Sequence, residues 1–399
     1  MQLGWIDFSK EEKNKVLDVI NLLEEPGTLD ELGIAPIRDG FANLFFPGTS
    51  TIQTRAKYFF LVPYACISIE RSNETDEKQF IRKLDDIEHE CGKRLLKLNE
   101  DGTIGKVAIT NGGWVKRPPT AIYWAGIRSY GIFKGGRISL REYAYINCKR
   151  KLLRKVSRLQ GLNEGEFENE KDDSDAGGFL HTSFWHVPDF DVDNWNKEIT
   201  MNLSSEESEL LKSQIIKKHP ESLMAYILKE NIVDFLECNR FEDLRASVHN
   251  GFSEQMKRDY EMAVAFARFL FGIRIQYNLI VSGGENEKAV ECWTEFEKRM
   301  NSEAAIELQE IFARLRISNF GLMHFLIEAK RQMLDGDIDG LKNGIIAREK
   351  FLKGIGRAKT SNPGDFPVDK WFSGDILNYR MGNAKTIIRD IFEGEGLKC

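Results

Sequence analysis

Helical periodicity recurs along this chain and constrains its fold more than any other feature. Phe80, Leu84, Ile87, Cys91, Leu95 and Leu98 recur at spacings of three and four, so Asn73–Leu98 reads as one long amphipathic helix. From Leu203 onward the spacing returns in segment after segment: Leu210, Leu211 and Ile215, then Leu223–Cys238 and Phe241–Val248. A long helix opens at Ser253 and runs to Val281, with Ala263, Ala265, Ala267 and Gly272 small enough to let neighbouring helices close in. Glu287–Met300, Glu303–Leu315, Asn319–Asp335, Asp337–Gly354 and Asn383–Glu393 continue the series. No repeat of solenoid length is visible.

The first half begins with Ser9 and Glu12 as a capping box, which predicts a helix burying Val16, Val19, Ile20 and Leu23 until Pro26-Gly27 ends it. Thr28–Glu31 forms a second box, and Ile37–Phe46 reads as a short helix stopped by Pro47-Gly48. In Pro47–Tyr64, Ile52, Ala56, Phe59 and Phe60 fit a helix face that Thr49 or Ser50 could cap, while alternation from Ile52 to Val62 fits a strand. Gln53, Thr54, Arg55 and Lys57 could gather a phosphate at a helix start, or Arg55 could simply pair with an acid. The second is the expectation.

Charge is distributed unevenly. The chain carries −6 overall, yet Thr110–Gln160 holds twelve Lys and Arg against one acid, Glu142. Aromatics interleave with the cations (Tyr123, Trp124, Tyr130, Tyr143, Tyr145), a pattern suited to a surface that meets a polyanion. Pro118-Pro119-Thr120 predicts a helix entry with Thr120 as N-cap, and Gly131 falls just past the end of that helix. Ser139 caps a second helix over Leu140–Cys148, and the pattern allows it to extend to Leu159. Helix, turn, helix is the layout of a helix-turn-helix or winged-helix unit. The candidate nucleic-acid-binding residues are Arg55, Arg128, Lys134, Arg137, Arg141, Lys149, Arg150, Lys151, Arg154, Lys155 and Arg158. Positions 150, 154 and 158 put three guanidinium groups on one face, whose forks match phosphate oxygens and guanine edges. The acidic run Glu164–Asp175 could instead neutralise them, as an internal phosphate mimic.

The expected fold class is mainly α, with the helix-turn-helix-like element in the first half and a multi-helix C-terminal domain. The expected divisions are 1–161, an acidic linker over 162–178, and 179–399. At 399 residues and 42% hydrophobic the chain is long enough for two or three cores. No apolar run of membrane-spanning length is present and no signal-peptide apolar region opens the chain, which places it in the cytoplasm. The six cysteines are scattered without a C-x-x-C pair, and the H-x-C of His89 and Cys91 diverges on a helix, so no metal or cofactor is expected. His181 and His186 near Asp189, Asp191 and Asp193 suggest a metal site or a general base, and His186 with the three aspartates is the local candidate for a metal-dependent nuclease, although no array of nuclease spacing backs it.

Five strings resemble a bacterial domain-of-unknown-function family. They are GWIDFS (4–9), PGTSTIQTRAKYFFLVPY (47–64), RPPTAIYWAGIRSYGI (117–132), HPESLMAYIL (219–228) and ILNYRMGNAKTIIRDIFEG (376–394). Genes of that family sit beside helicases carrying phospholipase-D-type nuclease domains in antiphage defence clusters. The resemblance implies an accessory subunit that touches nucleic acid, DNA ahead of RNA, and a helicase or nuclease partner. It supplies no catalytic residues. The alternatives are a metal-dependent nuclease, or a scaffold that docks an acidic protein partner without nucleic acid.

Overall fold

The computed structural model describes residues 30–159, 183–363 and 365–397. The fold is mainly helical, and no strand occurs among the described residues. The longer helices in chain order are α1 (Ala35–Phe45), α2 (Tyr58–Arg71), α3 (Glu77–Lys97), α4 (Pro119–Ser129), α5 (Leu140–Leu159), α6 (Ser205–Lys218) and α7 (Leu223–Glu230). They are followed by α8 (Glu254–Val281), α9 (Glu287–Glu297), α10 (Leu308–Leu315), α11 (Phe320–Asp335), α12 (Ile338–Lys353) and α13 (Met381–Gly394). The chain divides into two compact units, each discontinuous in sequence. One joins Ala42–Arg258 to the segment from Asn378 onward; the other joins the residues up to Phe41 to Asp259–Leu377. Residues 42–159 and 183–258 thus share a unit, and the acidic linker expected over 162–178 lies outside the described residues.

In the unit built on Ala42–Arg258, α2 packs on α3 and α4, and α3 also packs on α5. The stripe on α3 is core where it matters: Phe80, Leu84, Cys91 and Leu95 are buried, while Ile87 is half-buried and Leu98 exposed. Asp76 caps α3 by accepting from Gln79 N at 2.8 Å.

Two expectations need correction. Residues 49–57 are neither helix nor strand, and α2 starts only at Tyr58. The reason is competition for backbone donors. Thr54 N and Arg55 N give their hydrogen bonds to the Tyr123 hydroxyl, at 2.8 and 3.0 Å, and Ala56 N gives its own to Asp390 at 2.7 Å. A helical turn cannot form while side chains distant in sequence hold its amides. Thr120, expected as an N-cap, lies inside the first turn of α4, with Pro118 at the cap and Pro119 at the first helical position. Its amide donates to Glu88 Oε1 at 2.7 Å, and its hydroxyl donates to the same oxygen. A carboxyl from α3 therefore occupies the start of α4.

Ser139 and Glu142 do form a capping box, with Ser139 N donating to Glu142 Oε2 at 2.5 Å and Glu142 N to Ser139 Oγ at 3.2 Å. The helix behind it runs unbroken to Leu159. The chain returns after residue 183 beside the α4–α5 connection, through a single antiparallel bridge between Phe133 and Trp185. Lys134 N donates to Phe184 O at 2.7 Å and His186 N to Ile132 O at 2.8 Å. Further on, α6 packs on α7 and α13. Leu223–Cys238 yields α7 plus a 3-10 turn, Val233–Glu237, because Asn231 takes the left-handed conformation at the α7 C-cap.

In the other unit α11 and α12 form an antiparallel hairpin, turned at Gly336 (φ 69°) and capped by Asp337, which accepts from Gly340 N at 2.9 Å. The small residues of α8 do what their size suggests at Gly272, against which the Phe296 ring lies. Glu349, fully buried, accepts from Tyr277 Oη at 2.7 Å and from Thr360 N at 3.0 Å. Helix α8 has the length and composition to cross a membrane, and 72% of its most apolar window is buried within the fold.

Candidate nucleic-acid interface

The cations of the basic stretch divide into two groups once the helices are in place. On α5 the helical period turns Arg150 and Lys151 inward. Arg150 is only 9% exposed and lies over the Phe184 ring, 4.2 Å from its centre. Lys151 Nζ donates to the carbonyl of Ile69, near the end of α2, at 2.8 Å. Both face Glu70, a half-buried carboxyl that accepts from the Tyr143 hydroxyl and from Trp185 Nε1 at 3.1 Å. Burial pushes Glu70 up, and the tyrosine, the tryptophan and the two cations pull it back. Burial also lowers Arg150 and Lys151, against the attraction of Glu70. The aromatics interleaved with the cations serve this core: Trp124, Phe133, Tyr143, Phe184 and Trp185 pack edge to face and tilted around one another. Arg150 therefore does not share an outer face with Arg154, as the four-residue spacing suggested. The side chain of Arg158 lies outside the described residues.

Arg55 and Arg128 are also structural. Arg55 Nε meets both Asp390 oxygens, at 2.9 and 3.0 Å, and Nη1 donates to Asp101 O at 3.3 Å. This is the simple acid pairing expected for Arg55, and it leaves no open phosphate cradle there. Arg128 Nη1 donates to the carbonyls of Arg137 and Ile138, at 3.0 and 3.2 Å, holding the α4–α5 connection closed.

The remaining cations are exposed: Lys134, Arg137, Arg141, Lys149, Arg154 and Lys155. Among the described residues no acid pairs with Lys134, Arg137, Arg141, Lys149 or Lys155. Lys149 Nζ sits 5.5 Å from the centre of the exposed Tyr145 ring. The fold adds two lysines that the local sequence did not signal. Lys217 and Lys218, exposed at the end of α6, come close enough to His186 to lower it together with Lys134, after burial as the first cause. The stem of Lys218 rests on Gly131. The signal that could have found them is their place at the C-terminus of a capped helix, but nothing in the sequence says that α6 ends beside residue 134.

From Leu152 to Val156 every side chain of α5 is exposed, so Leu152, Leu153 and Val156 stand among Arg154 and Lys155 on an open helix. The metal-site candidates do not converge. Among the described residues no group of three or more His, Cys, Asp or Glu could hold an ion, and His181 lies outside them. Asp191 instead closes its own turn, accepting from Asp193 N at 3.1 Å and from Asn194 Nδ2 at 2.8 Å. Ser129 Oγ and His219 Nε2 lie 2.8 Å apart, but the same nitrogen is 3.0 Å from the Ser129 carbonyl, a helix-end contact rather than an activated hydroxyl. A cleft of about 340 Å³ opens between Ser68, Arg71 and Ser72 at the end of α2 and Trp195 and Asn196.

Comparison with curated proteins and with solved structures finds no match. Residues 1–155 match one described as Family of unknown function (DUF6361). That span contains three of the five distinctive strings and most of the basic stretch, while HPESLMAYIL and ILNYRMGNAKTIIRDIFEG lie beyond it. Over its first 155 residues, then, the chain is similar to a family of unknown function.

Proposed function

We propose that the protein is a nucleic-acid-binding accessory subunit of a bacterial antiphage defence complex, acting in the cytoplasm with a helicase or nuclease partner. The single observation that carries the reading is the set of exposed cations left without a described acid: Lys134, Arg137 and Arg141 around the α4–α5 connection, and Lys149 and Lys155 on α5. Lys217 and Lys218 extend it. In this reading α4, residues 130–139 and α5 act as a helix-turn-helix-like element whose flanking loop, more than its second helix, meets phosphates. The defence setting and the partner rest on the family resemblance alone.

The test is binding of a fluorescent DNA duplex, followed by anisotropy across a salt series. Each phosphate neutralised contributes about 0.9 to the slope of log K against log salt. A Lys134→Glu, Arg137→Glu, Arg141→Glu variant is expected to lose most binding and to flatten that slope. Equal binding by the wild-type and this variant overturns the proposal. The exposed leucines beside Arg154 favour a second reading, a scaffold whose basic helix docks an acidic protein surface. Pull-down of a partner that survives nuclease treatment, and is lost in a Leu153→Glu variant, would favour it.

A further inference from the structure

The end of α6 reaches the connection between α4 and α5 and meets a histidine there. Phe133 and Trp185, joined by the antiparallel bridge, are 2% and 4% exposed. The pleat turns the residues next to such a pair to the opposite face, so Lys134 and His186 share that face. Their own amides hold the register, Lys134 N on Phe184 O at 2.7 Å and His186 N on Ile132 O at 2.8 Å. At Gly131 the missing side chain leaves room that the stem of Lys218 and the amide oxygen of Gln214 occupy. The groups that face the His186 ring are thus Lys134 from the connection, and Gln214, Lys217 and Lys218 from α6. Lys134, Lys217 and Lys218 pair with no acid among the described residues. Cations suit the C-terminal end of a helix, which accounts for Lys217 and Lys218 alone. It does not account for a third lysine and a titratable ring brought beside them from two other segments.

We propose that Lys134, His186, Lys217 and Lys218 seat one backbone phosphate of a bound nucleic acid, and that His186 takes up a proton as the phosphate arrives. This seat belongs to the nucleic-acid surface proposed above and rests on that reading. In the free protein burial, then Lys134, then Lys217 and Lys218 hold the ring below its ordinary value, while its hydrogen bond with Gln214 favours the charged form. A phosphate among the three ammonium groups cancels their repulsion and gives the ring an opposite charge to meet. The bound state then holds a proton that the free state lacks, so affinity rises as pH falls through the window between the two values. An opposite charge within about 4–6 Å favours the charged form by about tenfold at the low end of such effects, which sets the limit of the gain. A phosphodiester does not titrate in this range, so the change belongs to the protein.

The experiment uses the full chain and a fluorescent DNA duplex at constant ionic strength. Anisotropy compares wild-type with His186→Gln from about pH 5.5 to about pH 7.5, and the groups common to both proteins cancel in the difference. On the acid side of that span the wild-type should gain about fivefold in affinity relative to the variant. Parallel profiles overturn the proton-coupled seat and leave the DNA surface standing. Absence of DNA binding by the wild-type throughout the span overturns both. Should His186→Gln fail to fold, the wild-type alone carries the test. With carbon-labelled histidine, one ring signal should then titrate about one pH unit higher with DNA than without it. Ring midpoints that DNA leaves unmoved overturn the proposal.

Discussion

Replacing Glu88 with Gln should remove a pH dependence that the fold imposes. Glu88 is buried where α3 meets the start of α4. Oε1 accepts from Thr120, and Oε2 has no hydrogen-bond partner. Burial pushes the carboxyl up to about 8, against the lowering effect of the Thr120 bonds. In the unfolded chain it titrates near 4.5. Between those values the folded state keeps a proton that the unfolded state has lost, so stability falls as pH rises. The contribution is complete below about pH 4.5 and lost as pH climbs through about 8, at no more than about 1.4 kcal/mol per pH unit. Across the window this is an upper bound of about 4–5 kcal/mol. Gln retains the acceptor oxygen for Thr120 and has no proton to lose. Urea unfolding of both proteins from about pH 5 to about pH 8 isolates the effect, because the titrating groups they share cancel in the difference. The variant should gain on the wild-type by about 1 kcal/mol per pH unit. Parallel profiles would refute the reasoning, showing that Glu88 ionises in place.

Three further outcomes are expected. Asp390→Ala leaves Arg55 facing a buried gap and strips Ala56 N of its acceptor; it should cost about 3 kcal/mol in denaturant unfolding. Gly126→Ala places a methyl group about 2.5 Å from the Gly48 carbonyl oxygen and should cost about 2 kcal/mol, read as a lowered thermal midpoint. Arg150→Ala should reduce stability through the lost Phe184 contact with little change in the salt slope of DNA binding, whereas Lys155→Ala should lower the slope by about 1 without touching stability.

Periodicity and caps carry through to the fold wherever a segment's partners are close in sequence. The Ser139 cap and the α3 stripe are each written in a few adjacent residues, and each stands. Residues 49–57 went the other way because their amides bond to Tyr123 and Asp390, partners that only the folded chain brings near. The candidate interface shows the same division. The sequence by itself determined that one stretch is strongly basic and that Ser139 caps its second helix. Only the tertiary structure decided which cations remain outside. It turned Arg150 and Lys151 toward Glu70, bound Arg55 to Asp390, spent Arg128 on two carbonyls, and brought Lys217 and Lys218 up beside Lys134 and His186. A residue's charge is fixed by its chemistry, but whether water or a buried carboxyl meets it depends on which distant segment packs against its helix.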